Sequence, residues 1–240
     1  HSSASGGNVK LFKFFVEKGL NPTWKTKKEQ NVIHLACIGR KLAMIKFLTA
    51  EYKNHLLNEL DVEGYSVVHF AAKRGLIQFL EYLVERNFDL QLQSKSGETT
   101  LHMASQENHI ATCKFLLKKI KSDSGDFLKC KDNEGKSALH FAASGGYVNL
   151  LEFFISRGLS IDDKTSEGKT VLNYAARHCR IEMCKHIISK NKEFIRHIDN
   201  NEEIVLHDVA RGGNIEIFEM FIAEGLDVDK RNAAGETVLH

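Results

Sequence analysis

Twelve histidines and five cysteines are the side chains of this 240-residue chain that could hold a metal or move a proton. His1, His34, His69, His102, His140, His207 and His240 share a local context, and Asn173 occupies the same context once. Imidazoles are the commonest metal ligands and general bases. The steps between these anchors are 33, 35, 33, 38, 33, 34 and 33 residues. Layered elements stack about 10 Å apart, so histidines carried one per layer cannot share a metal. The reading that fits is structural: a buried imidazole bonded to turn backbone and to the hydroxyl beside it, a net contribution of roughly 1 kcal/mol each.

One stretch looks more like a metal site, with His178, Cys179, Cys184 and His186 inside nine residues. Its spacing matches no zinc pattern. Phase explains it better. Cys184 falls eleven residues after its anchor, as do Leu80, Cys113 and Phe218, which is a core position. Cys37 aligns with Ala72 and Ala143. Cys179 sits at a turn and is expected to be the exposed thiol. An odd cysteine count without framework spacing favours reduced thiols and a cytoplasmic setting. There is no phosphate-cradling glycine loop, nucleophile elbow or convergent carboxylate pair. No catalytic residue, cofactor or metal is expected.

The elements that carry the anchors read the same way in most copies. Asp132-Asn-Glu-Gly-Lys-Ser-Ala-Leu-His-Phe-Ala-Ala-Ser-Gly-Gly146 shows the unit best. A tight turn ends at Gly135. Ser137 then caps a short helix, as Ser66, Thr99 and Thr170 do in their copies, for about 1 kcal/mol each. Small residues such as Ala142 and Ala143 let a second helix approach. Gly146 stops the first helix, with Gly7, Gly75, Gly213 and Asn108 in equivalent places. A longer apolar helix follows, for example Leu150-Leu-Glu-Phe-Phe-Ile155, and Gly19, Gly158, Gly225, Asn87 or Asn191 ends it.

The period and the recurring Gly-x-Ser/Thr-x-Leu/Val-His-x-Ala text, as in Gly97-Glu-Thr-Thr-Leu-His-Met-Ala104, resemble the ankyrin repeat. The resemblance covers essentially the whole chain. It implies an all-α solenoid of helix–turn–helix units joined by hairpin-like loops, with the tips on one edge and the shorter helices lining a concave face. The units run approximately 1–25, 26–60, 61–93, 94–131, 132–164, 165–198, 199–231 and 232–240. That makes about six complete repeats with partial ones at both ends, in a single array over 1–240. Because the chain starts and stops on the same motif residue, it is expected to be an excerpt of a longer array.

Departures mark where irregularity is expected. Proline is missing before every Leu-His pair, and Pro22 lies elsewhere. Glu29, Asn31 and Arg40 wear the second copy, Cys179 the sixth, and Glu202, Ile204 and Asp208 the seventh. These turns must bear strain or take another path. Two linkers are long. Lys118 to Lys131 reads as a surface loop, and Glu51 to Leu60 is two residues longer than average. Insertions in repeat proteins often map to the binding face.

Net charge is +2, too small to imply nucleic acid as the main partner. It is unevenly spread. Residues 1–60 carry ten Lys/Arg against four Asp/Glu, and residues 199–240 carry three against ten. The acidic end reads as a surface for a basic segment or as a solubility feature. No apolar run approaches the ~20 residues of a membrane span, so any membrane role belongs to regions outside this window. The resemblance implies a non-catalytic scaffold that binds partner proteins, or other domains of a longer chain. By phase, the side chains left free for partners are Trp24, Lys27, Lys28, Tyr65, Lys73, Arg74, Lys95, Gln106, Asn133, Glu134, Lys136, Ser144, Lys169 and Arg177. The alternative is a gating-spring or packing segment of a large ankyrin-containing channel or of a secreted pore-forming toxin. An enzyme with its catalytic domain elsewhere would show no turnover within this window.

Overall fold

A computed structural model describes residues 1–120 and 126–240. The stretch 121–125, expected as part of a surface loop, lies outside the described residues. The described chain is helical, with one isolated bridge between Gln93 and Thr99. It forms two compact units, His1–Phe127 and Leu128–His240.

In the first unit, short helices α1 (Ser2–Gly6), α3 (Val32–Ile38), α5 (Val67–Lys73) and α7 (Thr100–Gln106) alternate with longer ones. The longer ones are α2 (Val9–Glu17), α4 (Leu42–Tyr52), α6 (Ile77–Glu85) and α8 (Ile110–Lys119). Each short helix packs on the next short helix and on its own longer partner. Helix α9 (Asp126–Lys129) bridges to the second unit's chain. There, α10 (Ala138–Gly145), α12 (Val171–Arg177) and α14 (Val205–Gly212) stack in the same way, backed by α11 (Val148–Ser156), α13 (Ile181–Lys190) and α15 (Ile215–Ala223).

The alternation of small and large apolar residues explains the packing. Ala71, Ala72, Ala142, Ala143, Ala175 and Ala176 are fully buried, so neighbouring helices come close. Leu80, Leu83, Leu116, Leu150, Leu151, Phe154 and Ile187 fill the space behind them. Each such side chain contributes about 1.5–3 kcal/mol by leaving water. Cys37, Cys113 and Cys184 serve as small core hydrophobes, and burial pushes the Cys113 and Cys184 thiols up to about 12.

The worn turns keep the common path and bear strain. Glu29, Arg40, Cys179 and Glu202 hold φ of 58°, 55°, 58° and 58°, the left-handed conformation that glycine supplies elsewhere. Asn87 and Asn108 do likewise. Asn191 does not: at φ −153° it is extended, and its side chain instead accepts the Glu193 N–H.

At the tips, one side-chain oxygen organises each turn, from an aspartate at three of them and from Thr26, Ser94, Thr165 or Asn232 at others. Asp132 Oδ1 accepts the N–H groups of Glu134 (3.0 Å) and Lys136 (2.8 Å), and Asp61 and Asp199 repeat the pattern. Neighbouring tips are then joined through backbone. Val62 N–H donates to Lys28 O and Lys95 N–H to Glu63 O in the first unit. In the second unit Ser166 N–H donates to Glu134 O, Asn200 N–H to Glu167 O and Ala233 N–H to Asn201 O. Gly135 is essential to this row. It sits at φ 82°, and a Cβ there would lie 2.6 Å from the Ser166 nitrogen. Gly135→Ala is therefore expected to destabilise the second unit by about 1–3 kcal/mol. A urea titration of the variant checks this, and an unchanged midpoint would contradict it.

Candidate functional site

The anchor histidines are structural. Ser66, Thr99 and Ser137 cap their helices, and the histidine three residues on turns its Nδ1 back to them. Nδ1 of His69, His102 and His140 accepts the backbone N–H of the capping residue at 3.2, 3.1 and 3.1 Å. Asn173 does the same job through Oδ1, which accepts the Thr170 N–H at 2.9 Å and its hydroxyl at 2.8 Å. An aromatic ring of the following copy covers the imidazole, Phe70 on His34 and Tyr174 on His140. Burial lowers His34 and His140 to about 4, so both are neutral acceptors at neutral pH.

The residues of the metal-like stretch part company. Cys184 faces the core, and His186 Nε2 meets Glu152 Oε1 at 2.7 Å. Cys179, expected to be exposed, is half-buried, with its thiol donating to Gly212 O at 3.1 Å.

The position just before each cap needs correction as a partner site. Lys169 is 6% exposed. Its Nζ lies 3.0 Å from Glu203 Oε2, 3.3 Å from Asp208 Oδ1 and 3.5 Å from Asp199 Oδ2. Burial pulls its pKa down, but the three carboxylates outweigh that and hold it above the ordinary lysine value. Arg211 bonds Glu203 from the other side, and with Lys169 keeps that carboxyl near 2 against the cost of burial. Asn173 Nδ2 donates to Asp208 Oδ2 at 2.8 Å. Asp199, Glu203 and Asp208 are thus interior, not part of an acidic surface. Lys136 is half-buried and paired with Asp132 (3.3 Å) and Glu134 (3.1 Å). Tyr65 is half-buried with its hydroxyl on Glu98, and burial first and that carboxylate second push the phenol up to about 12. Tyr65 and Lys169 reach across to the next copy, whereas Lys136 folds back on its own tip.

The other candidates stay on the surface in two rows. Lys27, Lys28, Lys95, Asn133 and Glu134 lie on tips, with Trp24 beside the first at 61% exposure. Lys73, Arg74, Gln106, Ser144 and Arg177 lie at the C-terminal ends of α5, α7, α10 and α12. In the first unit that second row gathers charge the sequence reading did not single out. The His109 ring packs on Gly75. Its pKa is lowered by burial first, then by Arg40, with Arg74 adding to the effect and Glu107 opposing it. Arg40 and Arg74, with Lys73 beside them on α5, therefore form a basic rim around the His109 ring, and Arg74 Nε is buried there without a partner among the described residues. Arg40 escaped notice because its place in the repeat reads as a defective helix stop.

A family model described as ankyrin repeats (3 copies) matches residues 1–93, 50–127 and 124–199. The chain belongs to the ankyrin-repeat family. Ankyrin repeats mediate protein–protein interaction and are generally non-catalytic, and ankyrin repeats are what this chain shows. It is 27% identical over 194 residues to a Caenorhabditis elegans homologue of the transient receptor potential cation channel subfamily A member 1, covering 80% of this chain and 15% of that protein. It is 27% identical over 244 residues to the putative ankyrin repeat protein FPV115 of fowlpox virus, covering 100% of this chain and 41% of that one. Among solved structures, a chain in the complex of the Bdellovibrio bacteriovorus predatory endopeptidase Bd0816 with the immunity protein Bd3460 is similar, at 31% identity and TM-score 0.55. That match covers 72% of this chain and 88% of the other. The chain spans less than half the length of each of these two sequence relatives.

Proposed function

We propose that this chain is a non-catalytic docking scaffold, one continuous array over 1–240, that holds an acidic segment of a partner protein along the rim of its first unit. The carrying observation is the grouping of Arg40, Lys73 and Arg74 at the ends of the short helices, opposed by Glu107. The repeat motif calls on the backbone of Arg40, Lys73 and Arg74, and leaves their charged groups with no ion pair among the described residues. Arginine at such a place offers a planar fork that fits a carboxylate. The tips of Lys27 and Lys28 extend the same sign. A cytoplasmic setting belongs to the same proposal, supported by the use of Cys37, Cys113 and Cys184 as core hydrophobes.

The test compares partner capture by the chain with capture by a Lys27→Gln, Lys28→Gln, Lys73→Gln, Arg74→Gln variant. These side chains are exposed or half-exposed, so helicity is expected to hold. Capture should fall about tenfold or more and should weaken with salt. Undiminished capture by the variant would refute the assignment to this rim.

A second reading has its own support. The similarity to a small fraction of a long cation-channel homologue fits a packing or gating-spring segment of a larger membrane protein. Binding of the chain to other segments of its own parent protein, with no separate partner, would favour that reading.

A further inference from the structure

A cleft of about 900 Å³ lies in the first unit between the longer helices α4 and α6, away from the short-helix rim. It exists because the second copy is longer than its neighbours. After α4 the chain adds a single 3-10 turn, Lys53–Leu56, before the next tip. The additional residues place His55 and Asn58 as one wall, with Lys46 and Thr49 of α4 beside them and Tyr82 and Arg86 of α6 opposite. The 35-residue step from His34 to His69 is the mark of this turn in the sequence.

The lining has a one-sided chemistry. Lys46 and Arg86 are cations, His55 and Asn58 add donors, and among the described residues no carboxylate lines the cleft. Neither Lys46 nor Arg86 is in an ion pair among the described residues. The second unit also has a 3-10 turn, Lys192–Arg196, and the described cleft beside it lies toward the preceding tip, lined by Asp162 and Glu193 as well as Lys164, Arg196 and His197 and by no residue of a longer helix. Of these two clefts, the one in the first unit holds cations with no carboxylate among its described lining residues.

Arg86 is also held in place. Its guanidinium carbon sits 3.6 Å from the centre of the Tyr82 ring. Nη1 makes one long bond of 3.5 Å to Tyr82 O, which leaves most of its donors unused. A guanidinium held over an aromatic ring has lost part of its rotational freedom already, so a bound anion bears less of that cost.

We propose that this cleft binds a phosphomonoester group, with Arg86 donating to two of its oxygens, Lys46 neutralising the second charge, and His55 and Asn58 donating to the remaining oxygens. A dianion with tetrahedral oxygens matches a fork, an ammonium and two single donors converging from three sides. A single carboxylate would leave part of that charge unanswered. The same chemistry reaches the site either on a soluble phosphorylated molecule or on a lipid headgroup.

Two probes separate these sources. Inositol trisphosphate is titrated into the chain by calorimetry. Vesicles of phosphatidylcholine, with and without a phosphatidylinositol bisphosphate, are co-sedimented with it. Saturable binding of inositol trisphosphate is expected, weakened about tenfold or more in Lys46→Gln, Arg86→Gln. The same loss of charge made elsewhere, in Lys27→Gln, Lys28→Gln, should leave it unchanged. Co-sedimentation with the bisphosphate vesicles assigns the headgroup as the source, and calorimetric binding without co-sedimentation assigns a soluble ligand. Absence of saturable binding by either probe, or equal weakening in the two double variants, overturns the proposal.

Discussion

Replacing Lys169 by Met is expected to destabilise the second unit by about 3–5 kcal/mol, a larger loss than any exposed charge in this chain should give. The reason is burial without compensation. Asp199, Glu203 and Asp208 have side chains 0%, 6% and 1% exposed around Nζ. Removing the ammonium leaves Arg211 to answer three carboxylates, and it lies at the Glu203 end. Glu203 keeps its bidentate partner, and Asp199 keeps the N–H groups of Asn201 and Glu203 at 2.9 Å. Asp208 is left with Asn173 and a 3.6 Å approach from Arg211. That identifies the rescue. Asp208 occupies the place of Phe141 and Tyr174, so Lys169→Met with Asp208→Phe restores an apolar contact and should recover stability to within about 1 kcal/mol of the original. Urea titration measures both, and amide exchange in α12 and α14 localises the effect. A Lys169→Met variant as stable as the original would show that the cluster is held by its hydrogen-bonded frame and not by charge neutralisation.

The second large effect is on pH. His34 and His140 are lowered from 6.5 to about 4 by burial. In the unfolded chain they take up a proton near 6.5, and in the native chain only near 4. Between those values the unfolded state binds more protons, so stability is full above about 6.5 and falls as pH drops toward 4. The slope is about 1.4 kcal/mol per pH unit for each histidine, or about 4 kcal/mol for the two at pH 5. His69 is lowered in the same sense and adds to the loss. Glu203 acts in a lower window. Its carboxyl is lowered to about 2, so its contribution is full above about 4.5 and disappears as pH falls toward 2. Acid denaturation should therefore begin with the imidazoles. The chain supplies its own control, because Asn173 does the capping work of a histidine without titrating. His140→Asn should cost about 1 kcal/mol at pH 7, where its amide N–H lacks the carboxylate that Asn173 finds. It should also remove about half of the pH 7 to pH 5 difference assigned to His34 and His140. An unaltered pH dependence in this variant would mean that His140 is not one of the groups responsible.

Much of this architecture is legible in the sequence because it is periodic. The caps at Ser66, Thr99, Ser137 and Thr170, the stops at Gly7, Gly75, Gly146 and Gly213, and the core phase of Cys113 and Cys184 all follow from a local rule applied at a fixed step. Contacts made across the step are harder to read. Lys169 stands on a polar tip, where a lysine is ordinarily solvated, and its burial depends on carboxylates 30 to 39 residues later. A clue was present. Asn173 and Asp208 are two departures at adjoining positions of successive copies, where a histidine and an apolar or aromatic side chain otherwise stand, and the structure joins them directly at 2.8 Å. Two exceptions that would touch are better read as one replacement than as two blemishes. The cationic cleft was legible only as a length, the additional residues between Glu51 and Leu60. Its sign depends on side chains brought in from α6.

The backbone bonds between tips have a mechanical consequence. In the second unit, Glu134 to Ser166, Glu167 to Asn200 and Asn201 to Ala233 form three links of 2.9 Å each, placed one after another along the direction of stacking. A tensile load along that direction passes through the links in series, so the extension at which the unit first yields is set by one link and not by their sum. The links are alike in length but not in surroundings, since the middle one spans the copies that Lys169 ties together. Under a pulling force the two flanking links should part before the middle one, and the unit should lengthen in discrete steps of one repeat.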